Sequence, residues 1–112
     1  MSWERRRRRR VAIAFPIEVS GKGVTGTAFH DRALTNDVSE SGCQFSFERK
    51  LCIGEHLSLS LVNTDFAKLT GTKTQLFEVV WVEPNNMGWV IGARKLQDGN
   101  IWPLTFPLLS KW

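Results

Sequence analysis

The chain has 112 residues, 42% hydrophobic and 23% charged, with a formal net charge of +4. That length and balance suit one globular domain with its own core and exclude a disordered or low-complexity chain. The charge is uneven: residues 1–10 hold six arginines and one acid, Glu4, while the other 102 hold nine Lys/Arg against ten Asp/Glu, which disfavours a nucleic-acid binder with basic residues spread over one face.

Residues 1–10 read as a flexible basic arm running directly into strand-like sequence without a linker. Val11, Ile13, Phe15, Ile17 and Val19 alternate with Ala12, Ala14, Pro16, Glu18 and Ser20, the period of a half-buried strand. Pro16 there signals an edge or a bulge. "SGKG" at 20–23 predicts a turn, and residues 25–36 a second strand of weaker pattern. After "NDVSESG", Cys43, Phe45 and Phe47 form the apolar side of a third strand, with Cys43 as a small core residue. "CIG" at 52–54 predicts a turn, and Leu57, Leu59 and Leu61 a fourth strand. "NTDFAKLTGT" reads as a loop, "TQLFEVVWV" at 74–82 as a fifth strand, "EPNNMG" as a hairpin loop and "WVIGARKL" at 89–96 as a sixth. Six short strands with turn chemistry between them predict an all-β domain, a small antiparallel barrel or sandwich. The tail, 98–112, has the length of a short helix but carries Pro103 and Pro107.

Two cysteines without zinc spacing make neither a metal site nor a disulfide framework. The head lacks the apolar stretch of a signal peptide, and no run has the length of a membrane span. A cytoplasmic protein with reduced thiols is the expectation. His30 and His56 lack partner motifs, "GVTGT" lacks the Lys-Ser/Thr of a phosphate loop, and no base, nucleophile or metal constellation suggests an enzyme.

Two motifs remain. Asp37, Ser39 and Gly42 in "NDVSESG" form D-x-S-x-x-G. In an extended strand Asp37 and Ser39 point to the same side, where a carboxylate and a hydroxyl match the Watson–Crick edge of guanine. Gly42 permits positive φ or close approach of a ligand to the backbone. An ordinary turn uses the same residues, with Asp and Ser bonding locally and Gly closing it. The arginine run contains R-x-x-x-R spacings, Arg6 with Arg10 and Arg5 with Arg9. Arginine forks match phosphate bidentately, stack on bases and pair with guanine O6 and N7. A solvated polyanion-binding tail has the same composition. An antiparallel return of the second strand sets its end beside the start of the first, so Arg10 and Asp37 are expected to meet.

An R-x-x-x-R head followed by one strand, a hairpin and D-x-S-x-x-G resembles the PilZ domain family. "FEVVWV" followed by "GWVIGARKL" is similar to the family's closing strands. The resemblance covers residues 5 to about 97. It implies a six-stranded antiparallel β-barrel over 11–97, with a short C-terminal helix or tail over 98–112, that binds the bacterial second messenger cyclic di-GMP. Arg6 and Arg10 would then bind its phosphates and guanine faces with Arg5 or Arg9 assisting. Asp37 and Ser39 would read a guanine edge, and Gly42 would shape the site. The sequence departs from the family at Leu96, where a Phe is often found, and in its two C-terminal prolines.

Trp81 and Trp89 fall within strands as packing residues, and Trp81 is also a candidate for stacking on a base. Trp102, Leu104, Phe106, Leu108 and Trp112 make the tail apolar, either to cover the barrel's open end or to dock a protein partner. The expectation is a monomeric or weakly dimeric receptor that needs no cofactor or metal, takes cyclic di-GMP as ligand, orders its arm on binding and signals to a protein partner in motility, biofilm or polysaccharide control. The alternatives are a nonspecific nucleic-acid or polyanion binder and a PilZ-like adaptor that binds no nucleotide.

Overall fold

The structure is a computed structural model that describes residues 10–23, 26–62, 74–99 and 101–103. Seven strands follow in chain order: β1 (Arg10–Val11), β2 (Pro16–Lys22), β3 (Ala28–Ser39), β4 (Gly42–Phe47), β5 (His56–Leu61), β6 (Thr74–Asn85) and β7 (Gly88–Lys95). Neighbours run β1-β3-β2-β5-β6-β7-β4, and β4 pairs back onto β3. Every pairing is antiparallel. Strands β2 to β7 thus close a six-stranded barrel without a free edge. The two-residue β1 extends the sheet at the far end of β3.

The period-two pattern sets the inside. Ile17, Val19, Cys43, Phe45, Leu57, Leu59, Phe77, Val79, Ile91 and Ala93 are buried in one core, while the residues between them face outward. Three of the core rings, Phe29, Phe47 and Phe45, contact one another in sequence, with centroids 6.0 and 5.5 Å apart.

The first strand departs from expectation by breaking in two. Pro16 has no N–H to give the ladder. Residues 12–15 leave the sheet and are held by the buried Thr35, whose hydroxyl accepts from Phe15 N–H (2.8 Å) and donates to Ile13 C=O (2.7 Å). Alternation survives the break, and Val11 and Phe15 still pack on the core. The turn expected at 20–23 lies later: Gly26 N–H bonds Gly23 C=O and Gly23 N–H bonds Thr27 C=O. Strand β3 runs on through Ser39, so Asp37 and Ser39 are strand residues. The hairpin loop expected over 83–88 shortens to Asn86 and Met87, because Asn85 pairs with Gly88.

Ile101 and Trp102 are buried in the core cluster, and Trp102 stacks on Phe15 with centroids 5.7 Å apart. The described residues contain no helix, and the loop at 63–72, Leu104, Phe106, Leu108 and Trp112 lie outside them.

Candidate functional site

The site forms where β1 meets β3. The register sets Arg10 opposite Ser39 and Val11 opposite Val38, which leaves Asp37 diagonal to Arg10. The Arg10 fork closes on one carboxylate oxygen: Nε donates to Asp37 Oδ1 at 3.0 Å, and Nη2 donates to the same atom. Both side chains are largely covered. A charge-assisted bond of this kind is roughly twice as strong as a neutral one. The expected meeting of Arg10 and Asp37 is therefore present. Arg5, Arg6 and Arg9 lie outside the described residues.

Ser39 is fully buried. Its hydroxyl accepts from the N–H groups of Ser41 and Gly42, each at 3.2 Å, and contacts Ser41 Oγ at the same distance. In this geometry the side chain builds the turn between β3 and β4, and reaching a ligand requires that turn to open. Gly42 is needed for close approach of the protein to itself. A Cβ there would collide with the Ala93 carbonyl oxygen and lie 2.9 Å from Arg94 Cα. Its φ is not positive. Strand β7 is further held to the turn by the bond from Lys95 N–H to Ser41 C=O, 2.9 Å.

From this turn a row of residues crosses the outside of the barrel. Asp37 lies opposite Gln44, Gln44 opposite Gly92, and Gly92 opposite Trp81. Directly opposed residues share a face of an antiparallel sheet. Bulges between Thr35 and Asp37, and between Val79 and Trp81, bring the row into line. The Trp81 indole lies over Gly92 so closely that any side chain there would meet the ring. Its Nε1–H is buried and has no acceptor among the described residues. Trp81 is thus a packing residue on a glycine notch, on the same face as Asp37. Gln44 and Gly92 carry no signal in the sequence, since their place depends on a register that alternation alone does not fix.

Beneath the row, the buried Cys43 thiol is pushed well above its ordinary range, mostly by burial, further by the Asp37 charge, with Arg10 opposing. It is a core residue. Among the described residues no His/Cys/Asp/Glu group could hold a metal ion, and no helix is long and apolar enough to cross a membrane.

A closed six-stranded barrel whose first strand sets Arg10 beside a D-x-S-x-x-G turn defines a small all-β domain. The family model of the PilZ domain matches residues 4–100, and the chain belongs to that family. No curated protein matches the sequence. Among solved structures it is similar to the Bacillus subtilis inhibitor of motility MotI/DgrA (TM-score 0.64, 13% identity), covering 85% of this chain and 44% of that one. It is similar to the PilZ domain of CeSA from a cellulose-synthesizing bacterium (TM-score 0.55, 17% identity, 81% and 83% covered). It is also similar to the PilZ domain of Escherichia coli YcgR, solved with c-di-GMP (TM-score 0.55, 15% identity, 96% and 87% covered). At these identities the likeness establishes the shared fold. The chain spans less than half the length of MotI.

Proposed function

We propose that this domain is a cyclic di-GMP receptor that signals to a protein partner. The observation that carries the reading is the contact of Arg10 with Asp37 at the root of a six-arginine arm. Chemically, the pair offers both halves of a guanylate recognition site. Asp37 accepts from guanine N1–H and N2–H, and Oδ2 is the oxygen that the Arg10 contact to Oδ1 leaves for the base. Arg10, Arg6 and the assisting Arg5 and Arg9 neutralise the two phosphates and stack on the bases. Ser39 and Gly42 hold the turn that aims Asp37, and Trp81 offers an indole face on the same row. YcgR, solved with c-di-GMP, shares the fold and supports the ligand class.

The missing linker has a physical reason in this reading. A short tether keeps the arginines near their site and limits the entropy lost when the arm closes over the ligand. Closure changes the surface that a partner meets. That MotI is named for motility inhibition and that CeSA comes from a cellulose-synthesizing bacterium support an output in motility or polysaccharide control. Such a receptor works in the cytoplasm, as a monomer or weak dimer, without cofactor or metal.

Calorimetric titration with cyclic di-GMP, with GTP and a short DNA duplex as controls at two salt concentrations, tests the proposal. Saturable binding of cyclic di-GMP alone is expected. Binding of DNA only, lost as salt rises, would make the arginines a generic polyanion arm. Binding of neither would leave a PilZ-like adaptor.

A further inference from the structure

Strand β7 places a second guanidinium beside the turn. Arg94 lies directly opposite Gly42 on one side and Glu78 on the other, so the three form an outward row next to the Asp37–Gln44–Gly92–Trp81 row. The two rows are one side-chain repeat apart, about 7 Å, and Arg94 stands two strands and one row away from Asp37, roughly 12 Å. Gly42 contributes no side chain to this row, and the Ala93 carbonyl and Arg94 backbone pack directly against it, which sets the root of Arg94 against the 39–42 turn.

The guanidinium is oriented as well as placed. Arg94 Nε and Nη2 both donate to Glu78 Oε1, at 3.1 and 2.7 Å. Arginine has five N–H donors, and this use of one carboxylate oxygen leaves three uncommitted among the described residues. The side chain is 59% exposed. A fork steadied from one side with its outer donors open is suited to a planar pair of acceptors. Arg94 is the guanidinium of these two rows among the described residues, and Arg10, opposite Ser39, reaches Asp37 from β1.

We propose that Arg94, steadied by Glu78, is a ligand-binding and specificity-determining residue that takes the O6 and N7 edge of the guanine not read by Asp37. This rests on the reading of the domain as a cyclic di-GMP receptor. The two phosphates have the arginine arm, whereas the O6/N7 edge of the second base calls for a bidentate donor on the far side of Gly42, and Arg94 is one. In the neighbouring row Trp81, opposite Gly92, supplies an apolar face.

The test titrates the full chain and its Arg94→Ala, Arg94→Lys and Glu78→Gln variants with cyclic di-GMP and with the mixed cyclic GMP–AMP dinucleotide. Arg94→Ala is expected to weaken cyclic di-GMP about tenfold and to lower its preference over the mixed dinucleotide by a similar factor, the scale of one bidentate base contact. Arg94→Lys keeps the charge and is expected to lose the preference too. Glu78→Gln keeps an acceptor oxygen but loses the charge that steadies the fork, and is expected to lower both by a smaller factor than Arg94→Ala. In the 15N-labelled wild type, the Arg94 Nε–H resonance is expected to shift on saturation. Unchanged affinity and preference in Arg94→Ala, or an unmoved resonance, would overturn the proposal while leaving the receptor intact. Failure of the wild type to bind cyclic di-GMP would overturn the receptor reading and this inference with it.

Discussion

Two outward faces of the barrel carry cross-strand polar clusters, and they arise differently. On β2 and β3, Ser20 Oγ lies 2.5 Å from His30 Nδ1, His30 Nε2 lies 3.5 Å from Glu18 Oε1, and Arg32 Nη2 lies 3.7 Å from Glu18 Oε2. Ser20 is directly opposite His30 and Glu18 directly opposite Arg32, so a regular ladder produces this cluster unaided. The Arg10–Asp37 pair is diagonal and arises where regularity fails: at the break over 12–15, at the Thr35/Asp37 bulge and at the turn closed by Gly42. The environments differ too. Arg10 and Asp37 are 17% and 19% exposed, against 61% for His30 and 32% for Glu18. Water screens the second cluster and largely spares the first. Irregular backbone that shelters a charge pair is a stronger mark of a site than a longer chain of polar contacts on a regular sheet.

The largest way to break the contrast is Gly42→Ala. The new methyl meets the backbone of Ala93 and Arg94, which cannot rotate away as a side chain can. A loss of about 3 kcal/mol is expected, read from the midpoint of urea unfolding. A loss under about 1 kcal/mol would mean that β7 slides off the turn without consequence. Next is Asp37→Ala, which leaves the sheltered Arg10 without this carboxylate. It is expected to cost about 2 kcal/mol of stability. Titration should also show cyclic di-GMP affinity lower by about a hundredfold, since the base loses a charged acceptor. Wild-type affinity in this variant would remove Asp37 from the site.

The same distinction governs what the sequence disclosed. The inward faces of β2, β4, β5, β6 and β7 follow from alternation, and Ile17, Phe45, Leu59, Phe77 and Ile91 are buried as their pattern requires. The meeting of Arg10 and Asp37 was also legible, because an antiparallel return needs only approximate strand ends. Positions that depend on register were not. Arg94 reads as one more outward residue of an alternating strand until β4 is known to set Gly42 opposite it. Ser39 was legible as a turn former, because the ordinary-turn reading of D-x-S-x-x-G has Ser bonding locally, and its hydroxyl accepts from Ser41 and Gly42 N–H. Gly42 carried two readings, and its clash with Ala93 is a contact between segments half the chain apart.

Cys43 sharpens the comparison from beneath the first face. Its thiol is fully buried, and its pKa is raised by burial and then by Asp37. In the unfolded chain the thiol ionises above about pH 8.5, while in the barrel it stays protonated. The unfolded state therefore releases a proton that the folded state keeps, so stability is complete below that pH and falls as pH rises above it. The expected slope from this group is about 1.4 kcal/mol per pH unit. The chain has no tyrosine to add to it. Unfolding measured between about pH 8 and 10 should show this slope in the wild type and a shallower one in Cys43→Ala. Equal slopes would mean that the buried thiol ionises in place.

The smallest effect belongs to the other face. His30→Ala removes the centre of the Ser20–His30–Glu18 chain, yet its neighbours are exposed and regain water when it goes. A change within about 0.5 kcal/mol is expected in the unfolding midpoint, and none in the titration with cyclic di-GMP. The variant matters because it tests whether hydrogen-bonded side chains are enough to mark function in this fold. If affinity falls as it does for Asp37→Ala, the ligand reaches across β2 and β3, and shelter by irregular backbone is not what separates the two faces. If it stays at the wild-type value, a Ser–His–Glu chain on an open ladder is the product of register alone, and the binding surface is confined to the face that Gly42 and the broken first strand create.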